Sequence, residues 1–344
     1  IGVRGSVPMS EIDGILPDDA LKMYLDERRR EVSEATLNSH EYRLNHFVQW
    51  MKETPDIEET DDLTGRKLHE FKMWRRKGGE LNNVSMHTQL STLRVFIQFL
   101  ERIDAVHSNL HESIDIPSLN GDDQRSSLVA KERADAIESY LERYEYASMN
   151  HIIFRILWRT GMRIGTMVSL DVSDYNRAER KLHVRHREET PLKKQEGGER
   201  IIALNGHTCS ILDDWIDDVR PNVTDEHGRE PLVCTDTDRA STSTLRRHVY
   251  RLTQPCLYTE CPHDTNPDDC ETAGYTNKPS GCPSIRPPHD IRRGAITHFL
   301  SQNDIPIEAI RDRSDVSEGV LEDHYDVRSE DEKAEQRREH FSKE

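Results

Sequence analysis

Apolar residues recur at the spacing of amphipathic helices through the first third of the chain. Four segments each carry one apolar face: DDALKMYLDERRREV, SEATLNSHEYRLNHFVQWMKE, TGRKLHEFKMWRR and NVSMHTQLSTLRVFIQFLERI. Ser33 stands where a helix N-cap is preferred, and a pair of glycines follows the third segment. We therefore predict a bundle of about four helices over residues 17–115, preceded by a leader over residues 1–16.

The hydrophobic pattern changes after a short polar stretch. Residues 116–127 hold a proline, a glycine and two aspartates, which is typical of an inter-domain linker. Residues 128–344 again follow helical spacing, but two short β-type segments, residues 180–186 and 199–205, flank a charged loop. Residues 328–344 are predicted to form a solvated helix. The fold class that we predict is mainly α, with a small antiparallel β-sheet in an α+β second domain.

The composition is strongly acidic and poor in lysine. The 344 residues include 64 acidic and 47 basic side chains, a net charge of -17, and only 12 of the bases are lysine. Such a composition is typical of proteins adapted to molar intracellular salt, so we expect a halophilic protein. Net negative charge normally opposes nucleic-acid binding, but at 1 M salt charges are screened within about 3 Å, and local arginine clusters still act.

No apolar run is long enough to cross a bilayer, and no signal peptide is visible. We therefore expect a cytoplasmic protein without a membrane partner.

The segment PPHDIRRGAITHFL places three basic residues, His289, Arg292 and Arg293, at the start of a predicted helix. The first turn of a helix carries positive partial charge and normally favours acids. Basic residues there indicate that an anion is held at this position. His289 and Arg292 are three residues apart, so they share one face of the helix.

Three further segments carry candidate residues. RTGMRIGTMVSLDVSDY places Arg163 just after a glycine that ends a helix, the hairpin PLKKQEGGERIIAL has Lys193 and Lys194 at its tip, and SDVSEGVLEDHYDV carries Tyr325. Each has a plain structural explanation when taken alone: an exposed arginine after a turn, solvated lysines, a packing tyrosine. Their order along the chain is the distinctive feature.

That order, arginine, hairpin lysine, His-x-x-Arg and tyrosine after a helical domain, resembles the tyrosine recombinase (phage integrase) family over nearly the whole chain. TGMRIGTMVSL resembles the first arginine box, HDIRRGAITHFL the second, and HYD the nucleophile box. The resemblance is closest to the integrase-like proteins of haloarchaea. It implies a SAM-like core-binding domain that clamps DNA over residues 17–115, and a tyrosine recombinase catalytic domain over residues 128–344.

The resemblance also implies a reaction in which DNA strands are cut and rejoined through a 3′-phosphotyrosyl intermediate. Tyr325 would attack the phosphodiester, while Arg163 and Arg292 bind its oxygens through their guanidinium forks. His289 would exchange a proton near neutral pH. The tyrosine pKa of about 10 is why the nucleophile needs a cationic neighbourhood.

Lys193, or its neighbour Lys194, would protonate the leaving 5′-oxygen according to the same resemblance. The reaction needs no cofactor, because the covalent link conserves the energy of the phosphodiester. Double-stranded DNA is the implied partner, and four protomers are expected to assemble on paired sites.

One position departs from the family pattern. The family usually has a histidine or tryptophan before the nucleophile that hydrogen-bonds the scissile phosphate, but here RSDVSEGV places Asp315 or Val316 near it. This departure favours an alternative, a slow or inactive zinc-containing DNA-binding protein on the same fold. A helical interaction protein that never binds DNA is a third hypothesis, which net charge alone suggests.

The six cysteines fall into two groups. Cys209 and Cys234 occupy helix and strand contexts and are expected to be small core residues. The other four lie in a polar insertion over residues 256–282 that is too poor in apolar residues to build a core. Thiols in a cytoplasmic protein favour metal over disulfides; free thiols in a disordered insertion are the alternative. We predict a structural zinc site formed by Cys256, Cys261, Cys270 and Cys282, with His263 as a substitute ligand.

Overall fold

The computed structural model of the chain describes residues 12–79, 81–119, 127–273, 279–302, 305–325 and 338. The chain divides into two compact units, Ile1–Ser126 and Ser127–Glu344. Most of the predicted leader and linker, and all of the predicted C-terminal helix except residue 338, lie outside the described residues. Within the described part of the chain, every helix is too short or too polar to cross a membrane.

The first unit is the predicted helical bundle. Aromatic side chains from three of its helices, Tyr24, Phe47 and Phe96, are fully buried in its core, and Ser33 accepts a hydrogen bond from the backbone N–H of Thr36 as the predicted N-cap. Its α-helices are α1 Pro17–Arg28, α2 Glu34–Glu53, α3 Gly65–Gly79 and α4 Asn83–Arg102.

In the second unit, one almost entirely buried helix, α6 (Met149–Thr160), packs among other helices and a three-stranded antiparallel sheet. The strands of this sheet are β1 (Tyr175–Asn176), β2 (Lys181–Val184) and β3 (Arg200–Ala203). Strand β2 pairs with both neighbours, so that Leu182 lies opposite Tyr175 on one side and Ile202 on the other. The mainly helical fold with a small antiparallel sheet is thus confirmed. The elements are α5 Lys131–Tyr144, α6 Met149–Thr160, α7 Ile164–Ser169, β1 Tyr175–Asn176, β2 Lys181–Val184, β3 Arg200–Ala203, α8 Gly206–Asp214, α9 Thr242–Leu252, α10 Pro288–Leu300, α11 Ile307–Ser314 and α12 Glu318–His324.

Helix α10 is packed tightly against the segment that leads into α5. A Cβ atom on Gly294 would lie 1.9 Å from the carbonyl oxygen of Val129, so only glycine allows this approach. The backbone N–H of Val129 donates to the carbonyl oxygen of Asp290 at 3.0 Å, and the hydroxyl of Ser127 donates to the carboxylate of the same residue at 2.7 Å. These contacts fix the first two turns of α10, which carry the predicted His289 and Arg292.

Candidate active site

Arg292 is the centre of the site. Its side chain is 2% exposed, and its guanidinium donates to three main-chain carbonyl oxygens: Gly161 at 2.7 Å, Ser314 at 2.6 Å and Asp315 at 3.3 Å. Nε of the same group lies 3.2 Å from the hydroxyl of Tyr325. The basic start of α10 is therefore stabilised by carbonyl oxygens from two other chain segments, and one edge of the guanidinium faces the tyrosine.

The turn after α6 supplies both a carbonyl partner and the second arginine. Gly161 ends the helix with φ of 62°, a left-handed conformation that favours glycine, and a Cβ there would lie 2.7 Å from Oγ of Ser314. Arg163 follows as the extended residue before α7, and its side chain is about one quarter exposed. The glycine thus brings the first arginine box beside the loop that carries Asp315.

Tyr325 follows the last described helix, α12, and is 3% exposed. Its ring belongs to a small apolar cluster with residues from α10 and α11, and its carbonyl oxygen accepts a hydrogen bond from the hydroxyl of Thr297 at 3.0 Å. The ring of His289 lies 6.1 Å from that of Tyr325, measured between centroids. Three of the five residues that the sequence singled out, His289, Arg292 and Tyr325, therefore meet within a single chain.

The carboxylate of Asp315 joins the remaining basic residues. It forms an ion pair with Arg163 and accepts a hydrogen bond from Nζ of Lys194 at 2.6 Å. The adjacent Lys193 is exposed and has no ion pair with any described residue. Of the two lysines that the sequence left open, the structure brings Lys194 to the cluster.

Burial and neighbouring charges shift the pKa values of the cluster. Removal from water, followed by the charge of Arg292, lowers the pKa of His289 below its ordinary value, although part of the ring remains exposed. Burial also lowers the pKa of Arg292. Burial raises the pKa of Asp315, but the hydrogen bond from Lys194 and the charge of Arg163 together outweigh it and lower the pKa overall. The geometry thus favours a neutral histidine and a charged aspartate at neutral pH.

Arg200 is a member of the charged cluster that the sequence did not indicate. It lies at the start of β3, where Nε donates to the carbonyl oxygen of Arg313 at 3.0 Å. Burial lowers its pKa to about 10, with smaller contributions from the charges of Asp315, Arg292 and Arg163. A basic residue in the second half of the lysine hairpin was the available signal, but a strand arginine is too common to stand out.

Asp315 and Val316, the two residues near the position that departs from the family pattern, have different surroundings. Val316 is 5% exposed and packs in the apolar cluster with Tyr325, so its side chain offers no hydrogen bond to a phosphate. Asp315 adopts a left-handed backbone conformation, with φ of 51° and ψ of 62°. Its carboxylate consequently points to Arg163 and Lys194.

The described residues do not gather the ligands of the predicted zinc site. Four thiols and His263 line one cavity of about 200 Å³, and all six cysteines are free. Among the described residues, however, no group of three or more His, Cys, Asp or Glu side chains is gathered closely enough to hold a metal ion. Two of the predicted ligands contact hydroxyl groups instead: Sγ of Cys270 lies 3.2 Å from the hydroxyl of Thr272, and Nε2 of His263 lies 3.0 Å from that of Ser284. The zinc site predicted for Cys256, Cys261, Cys270 and Cys282 therefore has no support from the described residues.

Two family models match the chain. Residues 21–103 match the model described as phage integrase, N-terminal SAM-like domain, and residues 129–264 match the phage integrase family. The second match ends before α10, so His289, Arg292 and Tyr325 lie outside it.

Curated relatives are similar over longer stretches. The tyrosine recombinase XerD of Oceanobacillus iheyensis is 25% identical over 202 residues, which cover 58% of this chain and 64% of the relative, less than two thirds of its length. The XerD protein of Listeria innocua is 22% identical over 289 residues, which cover 83% of this chain and 84% of that protein.

A solved integrase structure shares the fold over nearly the whole chain, and a solved single domain is similar in sequence over part of it. The Tn1549 transposon integrase in complex with a circular intermediate DNA has a TM-score of 0.66 at 14% identity, covering 94% of this chain and 99% of that chain. The N-terminal domain of a phage integrase/site-specific recombinase from Haloarcula marismortui is 34% identical, covers 30% of this chain and 99% of that domain, and has a TM-score of 0.29.

Proposed function

The chain belongs to the phage integrase family, and on that premise we propose that it is a site-specific DNA recombinase that acts through a covalent 3′-phosphotyrosyl intermediate. One observation carries the proposal. The hydroxyl of Tyr325 lies 3.2 Å from Arg292, while Arg163 and Lys194 share a single anion, the carboxylate of Asp315. A nucleophile and cations that already bind an oxyanion are what phosphoryl transfer requires.

In the proposed cleavage step, the oxygen of Tyr325 forms a bond to phosphorus and the bond from phosphorus to the 5′-oxygen breaks. Arg163 and Arg292 bind the non-bridging oxygens, on which negative charge increases in the transition state. Neutral His289 accepts the proton of the tyrosine hydroxyl. Lys194 donates a proton to the 5′-oxygen, so that the leaving group departs as a hydroxyl. Rejoining reverses these transfers with the 5′-hydroxyl of another strand.

The proposed partner is double-stranded DNA. The solved relatives include a lambda integrase dimer bound to a core site and the Tn1549 integrase in complex with transposon right end DNA. On this ground we expect the chain to bind duplex DNA and to form a DNA-dependent tetramer on paired sites. A net charge of -17 makes long-range attraction to DNA unfavourable, so binding should depend on the local arginine and lysine clusters.

The alternative is a DNA-binding protein on the same fold that reacts slowly or not at all. Val316 favours it, because this buried apolar side chain stands near the position where the family usually places a hydrogen-bond donor to the phosphate. The positions of Arg292 and Tyr325 favour the recombinase instead, since they place a nucleophilic hydroxyl directly beside a guanidinium that can bind a phosphate oxygen.

Covalent capture tests the proposal directly. The protein is incubated in high KCl with supercoiled plasmid that carries its presumed attachment region, denatured with detergent, and assayed for protein-linked DNA. We expect an adduct with the wild type and none with Tyr325→Phe. DNA binding without an adduct would favour the alternative, and absence of both would refute the recombinase at that site.

A further inference from the structure

An acidic side chain occupies the centre of the basic cluster, where the proposed reaction requires a phosphate. The carboxylate of Asp315 forms an ion pair with Arg163 and lies 2.6 Å from Nζ of Lys194, and its side chain is only 11% exposed. Both cations are proposed to contact the scissile phosphate or its leaving oxygen. In this structure the same two groups both pair with one residue of the protein itself.

The backbone at this position does not explain the acid. Asp315 lies in the left-handed region, where glycine and asparagine are accommodated at least as well as aspartate. The main-chain contact that this loop makes with Arg292 uses the carbonyl oxygen of Asp315 and not its carboxylate. What aspartate adds over asparagine or glycine is therefore a negative charge directed at Arg163 and Lys194.

A carboxylate and a phosphodiester present the same feature to a guanidinium fork, a pair of oxygens that share negative charge. A carboxylate held against the fork therefore competes with a phosphate for the same donors. Arg292 is not involved in this competition, because it contacts the carbonyl oxygen of Asp315 and not the carboxylate. The competition is confined to Arg163 and Lys194.

We propose that Asp315 is an internal substitute for the scissile phosphate, which occupies Arg163 and Lys194 in the free protein and must be displaced when a phosphate binds. The inference rests on the proposed function, since it assigns a phosphate to that site. When the paired state exceeds the open state tenfold, the apparent affinity for phosphate falls about tenfold, because only the open fraction binds. The aspartate thereby keeps the cluster from binding phosphates that lack the remaining contacts of the DNA site.

Two substitutions test this competition. Asp315→Asn keeps the size and the backbone preference of the residue but removes its charge, and Asp315→Gly removes the side chain in a conformation that glycine adopts freely. Asp312→Asn is the matched control, because it removes the same charge from an exposed position three residues earlier on α11. Any effect of net charge alone appears equally in the control.

The first measurement is the affinity of each full-length variant for inorganic phosphate at constant KCl, by calorimetry or by phosphorus NMR titration. We expect Asp315→Asn and Asp315→Gly to bind phosphate about tenfold more tightly than the wild type, with Asp312→Asn within about twofold of it. Unchanged or weaker binding by both Asp315 variants would overturn the proposal, because it would mean that the aspartate positions the cations and does not compete for them. An equal gain in the control would overturn it too.

Covalent capture with the attachment-region plasmid, run in parallel on the wild type and Tyr325→Phe, separates this inference from the proposed function. Tighter phosphate binding by the Asp315 variants, without any tyrosine-linked DNA in the wild type, would support the substitute role of Asp315 and rule out the proposed recombinase function. A wild-type adduct with no gain in phosphate affinity for the Asp315 variants would support the recombinase function and refute the substitute role of Asp315.

Discussion

The close approach of α10 to the segment before α5 leads to a sharp prediction for Gly294→Ala. The added Cβ would lie 1.9 Å from the carbonyl oxygen of Val129 and 3.0 Å from the ring of Trp158. The oxygen belongs to the main chain, so it cannot move away as the end of a flexible side chain would. Either the segment at Val129 or the first half of α10 has to shift by more than about 1 Å to restore an ordinary contact.

The size of the expected loss in the free energy of unfolding follows from the contacts that this shift disturbs. Overpacking costs about 1–3 kcal/mol, and the hydrogen bond between the Val129 N–H and the Asp290 carbonyl adds a similar amount if its buried groups lose their partners. Replacing a mid-helix glycine by alanine returns up to about 1 kcal/mol through helix propensity. The net expectation is a loss of about 2–4 kcal/mol in the free energy of unfolding of the second unit.

Urea denaturation followed by tryptophan fluorescence measures this loss, since Trp158 lies at the point of contact. Gly165→Ala is the control, because Gly165 is also a helical glycine but nothing lies within 4 Å of the place that its added Cβ would take. The effect of the control should be neutral or slightly stabilising. If Gly294→Ala leaves the unfolding midpoint within the error of Gly165→Ala, the packing of α10 described above is incorrect.

Three further predictions concern the site. Arg292→Lys should abolish covalent capture and lower the free energy of unfolding by about 2–4 kcal/mol. The reason is that one ammonium cannot reach all the carbonyl oxygens, and each buried acceptor left unpaired costs about 1–3 kcal/mol. Unchanged stability in urea would contradict this prediction. Lys194→Ala should reduce the cleavage rate at least about tenfold, by analogy with other general acids, while Lys193→Ala should cleave at nearly the wild-type rate. If single-turnover assays show the larger loss for Lys193→Ala, then Lys193 is the general acid. The pKa of His289 lies below its ordinary value of 6.5. The kcat/KM for cleavage should therefore fall only as the pH drops below about 6.5, where the histidine becomes protonated and no longer acts as a base. A fall in kcat/KM centred above that pH would refute the role of His289 as base.

The fold and most of the site could be predicted from local patterns. Helical spacing and an N-cap indicated the first bundle, and the two β-type segments indicated β2 and β3. The positions of Arg292 and Tyr325 also followed from sequence, but only because their order along the chain resembles a known family. Nothing in periodicity or composition brings residue 163 to residue 315.

The parts of the site that could not be predicted from the sequence depend on the conformations of loops. Lys193 and Lys194 are equivalent in sequence, and only the turn that precedes the short helix Gln195–Gly198 decides which ammonium reaches Asp315. The four thiols of the insertion do line one cavity, as their clustering suggested, but the directions of their side chains depend on local turns that spacing does not encode.

The hydrogen bonds of Arg292 have a consequence for how sequences of this fold change when the proposed reaction is no longer under selection. The guanidinium ties together the turn after α6, the end of α11 and the tyrosine, so losing it breaks the architecture along with the chemistry. Loss of the Tyr325 hydroxyl breaks only one of these contacts, and the ring keeps its apolar neighbours. Inactive descendants should therefore be recognised by a missing tyrosine hydroxyl beside an intact arginine, and the opposite combination should be rare in lineages that still produce folded protein.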